Sequence, residues 1–332
     1  MPVLGVYHVS GLGLSPGALT MPLTAVYILQ AAAQMGHNGA RDFFRLSGEA
    51  GERSGSREKH PGMPEVVIVF DTPEAIDGKL RLTYDSRWFR GLSNMRQREE
   101  PIHRPIVKYL CRLWDCLEGL GVELKRPKHF YLVKVNRQDF DEVFDRATTL
   151  FYGIRRKEVW VNLIGGSNQI NLALMIAGSY TMVPSRYYYV FQDAPLLEPG
   201  WLEKCPRDEH EVFKCANEIL NRWNDLPPLN LGVGSILRSL LERFYTAKGS
   251  AYISKSEVLD ILEKRGYTEK FIPKLIEAGY ITPVDGDTFT MGPFIERSWR
   301  LFGAALEHSR IDSIGKWREL MGDSLVEVPF EC

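Results

Sequence analysis

The sequence predicts an α/β fold, a parallel sheet wound by helices on both faces, followed by a winged helix-turn-helix. Three observations carry this. Short apolar runs rich in β-branched residues alternate along the chain with helical patterns, as in doubly wound sheets. Two of those runs pass directly into a glycine loop and then a helix. Beyond Pro228, short helical segments lead into a hairpin. The turn sequence Asp225-Leu226-Pro227-Pro228 marks the division, giving a ligand-binding α/β domain over 1–228 and a winged unit with a helical tail over 229–332.

Each element follows from its residues. Val3 to Val9 is the first strand, and a helical pattern runs from about Thr20 to Met35, with Pro22 in its first turn or, alternatively, with Ser15-Pro16 as the cap and first position. Gly48 to Pro64 is polar, charged and glycine-rich and reads as an exposed loop. Val66 to Phe70 is a buried strand. Asp77 to Glu100 mixes arginines with Tyr84, Trp88 and Phe89. That stretch reads either as a phosphate or nucleic-acid surface or as a solvated face with a few anchoring aromatics. Pro105 to Leu120 is an amphipathic helix, Phe130 to Val135 a strand ending at Asn136-Arg137, and Phe140 to Tyr152 a helix. Val159 to Ile164 is the central strand, its apolar run suited to burial on both faces. Tyr187 to Phe191 is a further strand and Glu209 to Trp223 a helix.

In the second unit, Ile236 to Tyr245, Ser254 to Leu262 and Glu269 to Ala278 are helical, and Tyr280 to Thr282 pairs with Thr288 to Thr290 across Asp285-Gly286-Asp287. The would-be recognition helix carries Lys270 and Lys274 but also Glu269 and Glu277, so it lacks the basic stripe of a DNA reader. Phe294 to Met321 is apolar at helical spacing and is expected to pack on that unit.

Composition bounds the function. The 332 residues hold 41 basic and 42 acidic side chains, so no bulk field draws in nucleic acid. No basic, apolar leader precedes the first strand, and no apolar run reads as long enough to span a bilayer. The five cysteines, Cys111, Cys116, Cys205, Cys215 and Cys332, are odd in number and lack metal-ligand spacing. They read as reduced thiols of a cytoplasmic protein with no membrane contact. No cluster of His, Asp or Glu has metal-ligand spacing, so neither metal nor cofactor is expected.

The chemistry-bearing residues sit in the two glycine loops. Ser10-Gly11-Leu12-Gly13-Leu14-Ser15-Pro16-Gly17 follows the first strand. Its glycine spacing is not a dinucleotide fingerprint and no P-loop lysine follows. Asn162-Leu163-Ile164-Gly165-Gly166-Ser167-Asn168 follows the central strand, with Ser167 or Asn168 as the helix cap. Both loops stand at carboxyl ends of parallel strands, where such sheets bind ligands. Helix N-termini there favour an anion, phosphate in particular.

These two loops, and their order before a winged helix, resemble CARF domains, the CRISPR-associated Rossmann-like sensors. The signature loop of that family runs approximately Asp/Asn-x-Thr-Gly-Gly-Thr-Lys, and its other loop is a glycine followed by Thr/Ser, Ser and Pro. The resemblance covers about residues 1–292. It implies a cyclic oligoadenylate ligand, a homodimer whose paired loops face each other across a two-fold axis, and a site built from Ser10, Gly11, Gly13, Leu14, Ser15, Pro16, Gly17, Asn162, Gly165, Gly166, Ser167 and Asn168. Ile164 stands where the signature has Thr, and Asn168 where it often has Lys. Related proteins of this architecture are metal-independent ring nucleases, in which the residues matching Ser15 and Asn168 are expected to be catalytic. Arg137, or an arginine between Arg81 and Arg98, is the candidate to supply the missing cation. A DNA-binding regulator that senses the messenger without cutting it is the alternative. A HEPN-type ribonuclease fits less well, because seven residues lie between Arg300 and His308 rather than four to six.

Overall fold

The computed structural model describes residues 5–44, 62–82, 99–190, 205–226, 233–246 and 252–332. Five strands run parallel: β1 (Val6–Gly11), β2 (Pro64–Asp71), β3 (His129–Lys134), β4 (Val159–Asn162) and β5 (Arg186–Val190). Two antiparallel strands close the edges, β6 (Trp223–Leu226) beside β5 and β10 (Leu325–Val328) beside β3. The order across the sheet is β10-β3-β2-β1-β4-β5-β6. The α/β, mostly parallel fold expected from the sequence is therefore the fold observed.

Every residue of β1, β2 and β4 is buried, which is why these strands read as unbroken apolar runs. Alternate side chains feed two cores. Val67, Val69, Phe130 and Leu132 pack under one helical layer, α1 (Gly17–Met35), α3 (His103–Glu118) and α6 (Glu209–Arg222). Val66, Ile68, Tyr131 and Val133 pack under the other, which includes α4 (Phe140–Gly153) and α5 (Asn168–Thr181). A short helix, α2 (Pro73–Ile76), follows β2 and is capped by Thr72.

Helix α1 corrects two expectations. By length and composition it is apolar enough to cross a bilayer, contrary to the sequence reading. In the fold it is buried between the sheet and helices α3 and α6, as a central helix of a doubly wound sheet must be. Of the two helix starts, the earlier one is close to the structure: Pro16 precedes the first helical residue, Gly17, so Pro22 lies well inside the helix rather than in its first turn.

The second core continues into the rest of the chain. Helices α7 (Val233–Thr246), α8 (Lys255–Glu263) and α9 (Ile272–Glu277) pack with a three-stranded sheet of order β7-β9-β8, where β7 is Tyr252–Ser254, β8 Ile281–Pro283 and β9 Thr288–Met291. Ser254 and Glu257 form a capping box at the start of α8. α7 packs on α5. The tail helices α10 (Pro293–His308) and α11 (Ile314–Met321) both pack on α4, and α10 also meets α7. The tail thus lies on both units, and β10 carries the chain back to the main sheet.

The cysteine expectation is overturned. Cys111 pairs with Cys332 and Cys116 with Cys205, and Cys215 alone is free and buried. Separations of 221 and 89 residues hid these pairs in the sequence. The fold brings their Cα atoms to 5.4 and 5.6 Å, within the ordinary disulfide range. The cysteines therefore give no argument for a reducing compartment. Most of the glycine-rich stretch 48–64 and of the arginine-rich stretch 77–100 lies outside the described residues. At the ends of the latter, Lys79 pairs with Asp77 at 3.5 Å and Arg81 with Glu99 at 3.9 Å.

Candidate functional site

Strands β1 and β4 are neighbours, paired from Tyr7–Val159 to Ser10–Asn162. Their carboxyl ends, Gly11 and Asn162, therefore release the two glycine loops side by side. The loops touch backbone to backbone. A Cβ placed on Gly165 would stand 2.5 Å from the Gly11 carbonyl oxygen, and one on Gly166 3.0 Å from the Gly11 Cα. Gly166 also has φ +88°, a left-handed conformation that glycine adopts without strain. At Gly13, by contrast, a Cβ would meet nothing within 4 Å.

Beneath this contact lies a buried polar knot. The Asn162 Nδ2 donates to Ser10 Oγ at 2.9 Å and to the Ala18 carbonyl at 3.1 Å, while its Oδ1 accepts from the Ile164 N–H at 3.1 Å. Ser10 Oγ in turn donates to the Gly11 carbonyl at 2.7 Å. One asparagine thus ties strand β4 to strand β1, to helix α1 and to its own loop.

Each loop opens a helix. Ser167 caps α5, its Oγ accepting from the Ile170 N–H at 3.3 Å, so of the two cap candidates the serine serves and Asn168 is the first helical residue. Pro16 precedes α1 with no side-chain cap. Neither helix has an acidic residue in its first turn, so the positive potential of both N-termini is left uncancelled.

The structure sorts the residues of the two loops by depth. Ser10, Gly11, Asn162 and Gly165 are buried in the junction, as are Pro16 and Gly17 at the mouth of α1. Gly13, Leu14, Ser15, Gly166 and Ser167 are half-buried on its surface, and Asn168 is exposed. Arg137 is not beside them. It follows β3, with β2 between it and β1. There it lines a cleft of about 620 Å³ with Thr72, Lys134, Asn136 and Arg146.

Two further polar residues at this end of the sheet were not singled out in the sequence. Asn171 donates from Nδ2 to the Leu163 carbonyl at 3.3 Å, while its Oδ1 is buried without a partner. Its place in the first turn of α5 was the only clue. Asp71 ends β2, buried, with one oxygen accepting from the Thr72 N–H at 2.7 Å and Oδ2 unpartnered. Burial pushes its carboxyl up to about 8, with the nearby Thr72 N–H and Arg137 opposing the shift. Among the described residues no group of three or more His, Cys, Asp or Glu is arranged to hold a metal ion.

The two loops thus set the N-termini of α1 and α5 at the same end of the sheet, with Ser15 half-buried and Asn168 exposed beside them. No family model matches the chain. Three solved structures align over most of it. Csm6 of Enterococcus italicus, bound to cyclic hexa-2′-fluoro-hexa-dAMP, is 12% identical over 97% of this chain and 64% of that chain, with a TM-score of 0.35. Can2 from Sulfobacillus thermosulfidooxidans, in complex with cyclic tetra-adenylate, is 11% identical over 91% and 63%, with a TM-score of 0.27. Protein VC1899 from Vibrio cholerae is 12% identical over 96% and 69%, with a TM-score of 0.27. The chain therefore spans less than two thirds of the length of the first two, and at these TM-scores the likenesses carry no argument. An uncharacterized protein of Archaeoglobus fulgidus is 39% identical over 318 residues, 95% of this chain and 95% of its own length. With that identity sustained along nearly the whole of both chains, this protein belongs to the family of the Archaeoglobus fulgidus protein.

Proposed function

We propose that this chain is a CARF-type protein that binds a cyclic oligoadenylate, cyclic tetra-adenylate in the first instance, across a homodimer interface. The observation that carries the reading is the back-to-back packing of the two glycine loops at the carboxyl ends of β1 and β4, with an acid-free helix N-terminus behind each. A cyclic messenger with internal two-fold symmetry needs two such crevices facing each other. The exposed stripe of α5 supports a partner copy beside the site: Leu172 is 51% and Ile176 43% exposed, one turn apart, with exposed Met182 just beyond the helix. In this reading the unit after Pro228 is a winged helix, and the protein works in the cytoplasm with its messenger.

Slow, metal-independent cleavage completes the proposal. A ribose 2′-OH attacks the adjacent phosphate, the P–O5′ bond breaks, and the products carry a 2′,3′-cyclic phosphate and a 5′-hydroxyl. Ser15 and the helix N-termini hold the phosphate in line and stabilise its charge. Asn168 favours the second reading, a non-catalytic sensor, because it is exposed at the loop and supplies no cation. Control of DNA by that sensor is weakened by the pairing of Lys274 with Glu277 at 2.7 Å and of Lys255 with Glu269. Incubation of the purified protein with labelled cyclic tetra-adenylate in EDTA tests both readings. Binding with a 2′,3′-cyclic phosphate product supports the nuclease, binding without product supports the sensor, and no binding at micromolar protein refutes both.

A further inference from the structure

The two disulfides both leave helix α3, and their surroundings differ in sign. Cys111 and Cys332 form part of the wall of a cavity of about 450 Å³, with the cations Arg104, Lys108 and Arg112 around them, His103 held toward its neutral form by burial, and Glu331 as an opposing side-chain charge. Arg104, Lys108 and Cys111 fall at i, i+4 and i+7, so two of these cations share a helix face with the sulfur. Cys111 is buried and Cys332 is exposed. Cys116 instead stands between Asp115 and Glu118 on the same helix. The nearby Arg126 is shared between those two carboxylates, at 3.4 and 3.0 Å.

We propose that the Cys111–Cys332 pocket is a thiol–disulfide exchange site that takes small anionic thiols. The incoming thiolate attacks the exposed Cys332 sulfur. A new S–S bond forms to Cys332, the Cys111–Cys332 bond breaks, and its electron pair leaves on Cys111. A second incoming thiolate attacks the outer sulfur of the mixed disulfide and releases Cys332. The protein disulfide is thereby reduced to two thiols, and two small thiols are oxidised to their own disulfide. Cations around Cys111 stabilise it as a leaving thiolate, and lower-pKa thiols leave faster. The same cations draw an anionic reductant in. At Cys116 the adjoining carboxylates oppose both effects.

Exchange here releases one end of a strap. Phe330 stacks on Phe130 with ring centroids 5.4 Å apart and meets Trp114 edge-on at 5.4 Å. Once the disulfide opens, the ring contacts, the β10–β3 pairing and the bonds of Glu327 to His129 at 2.6 Å and Arg318 at 2.7 Å still hold the segment.

The test uses the full oxidised chain at low ionic strength with three probes at equal thiolate concentration: mercaptoethanesulfonate, 2-mercaptoethanol and cysteamine. Samples are quenched with N-ethylmaleimide and each cysteine is scored by peptide mass mapping. Cys111 and Cys332 should open before Cys116 and Cys205, with mercaptoethanesulfonate about tenfold faster than cysteamine, a modest electrostatic steering effect. That preference should collapse in 1 M salt, where the screening length is about 3 Å. Lys108→Glu with Arg112→Glu should reverse the preference at this disulfide and leave Cys116–Cys205 unchanged. The salt series on the unaltered chain decides the matter if that variant does not fold. Equal rates for all three thiols, or earlier opening of Cys116–Cys205, would overturn the proposal.

Discussion

The side-chain amide of Asn162 donates to the carbonyl of Ala18 at 3.1 Å, and Ala18 is the helical acceptor that Pro22 leaves without a donor. In a regular helix the N–H of residue 22 would bond that carbonyl, and proline has none. The gap one residue opens in α1 is thus filled by the residue that ends β4. Loss of the amide strands the Ala18 carbonyl and the Ile164 N–H together.

Asn162→Ala should therefore cost about 3 kcal/mol, the scale of leaving buried polar groups unpaired. Asn162→Asp should cost at least as much, since a carboxylate cannot donate to Ala18. Urea denaturation checks both, and a loss for Asn162→Ala within about 0.5 kcal/mol, the scale of a surface substitution, would show the knot to be dispensable.

Gly13 and Gly166 should separate ligand binding from folding. Gly13 has open space around its Cβ position, so Gly13→Asp should leave the melting temperature near that of the parent. Its carboxylate should repel phosphate, and losing two charge-assisted bonds costs roughly 3–6 kcal/mol of affinity. Gly166→Ala, at φ +88° and against the Gly11 backbone, should instead destabilise the fold by about 1–3 kcal/mol. Calorimetry with cyclic tetra-adenylate, beside thermal melts, reads both. Unchanged affinity in Gly13→Asp would place the ligand elsewhere.

The dimer should depend on α5. Leu172→Glu with Ile176→Glu puts two charges on its exposed apolar stripe and should give a monomer by light scattering, with the circular dichroism spectrum kept. A dimer surviving both substitutions would move the interface to another face.

Stability should depend on pH through two buried groups with opposite signs. Burial holds Asp71 up at about 8 and His8 down at about 3. Asp71 stays protonated in the fold while the unfolded chain ionises near its ordinary value of 3.8. Its contribution is full below that value and is lost as pH rises through about 8. His8 stays neutral in the fold, so its contribution is present above 6.5 and is lost as pH falls toward about 3. Each slope is at most about 1.4 kcal/mol per pH unit. Between 3.8 and 6.5 the two slopes cancel, so the parent is flat there and declines between 6.5 and 8. Asp71→Asn should abolish that decline and expose a loss as pH falls below 6.5, and His8→Gln should extend the decline with rising pH down to about 4. Melts of both variants from pH 4 to 9 check the signs; a parental pH profile in either variant would remove that group from the account.

If the chain cleaves its messenger, cleavage should survive EDTA, and Ser15→Ala should slow it more than it weakens binding. Asn168→Lys should speed it by about tenfold to a thousandfold, because a cation there favours the developing phosphorane charge over the ground state. Single-turnover assays with separately measured affinity decide this. A rate at or below the parent's, with affinity unchanged, would mean that residue 168 does not face the scissile phosphate.

The sequence alone determined the elements. The apolar runs of β1 to β5, the 3.6-residue stripe of α3, and the two glycine loops were legible because period and turn chemistry are local properties of the chain. The tertiary structure decided what these elements enclose. It joined Cys111 to Cys332 and Cys116 to Cys205, and it made residues 223–226 and 325–328 into edge strands. It sank Ser10 and Asn162 below the loop surface and set Arg137 across β2 from the glycine loops. Residues far apart in the chain give no periodic signal of meeting. Their contacts arise only when sheet order and helix packing fix which carboxyl ends, edges and faces become neighbours.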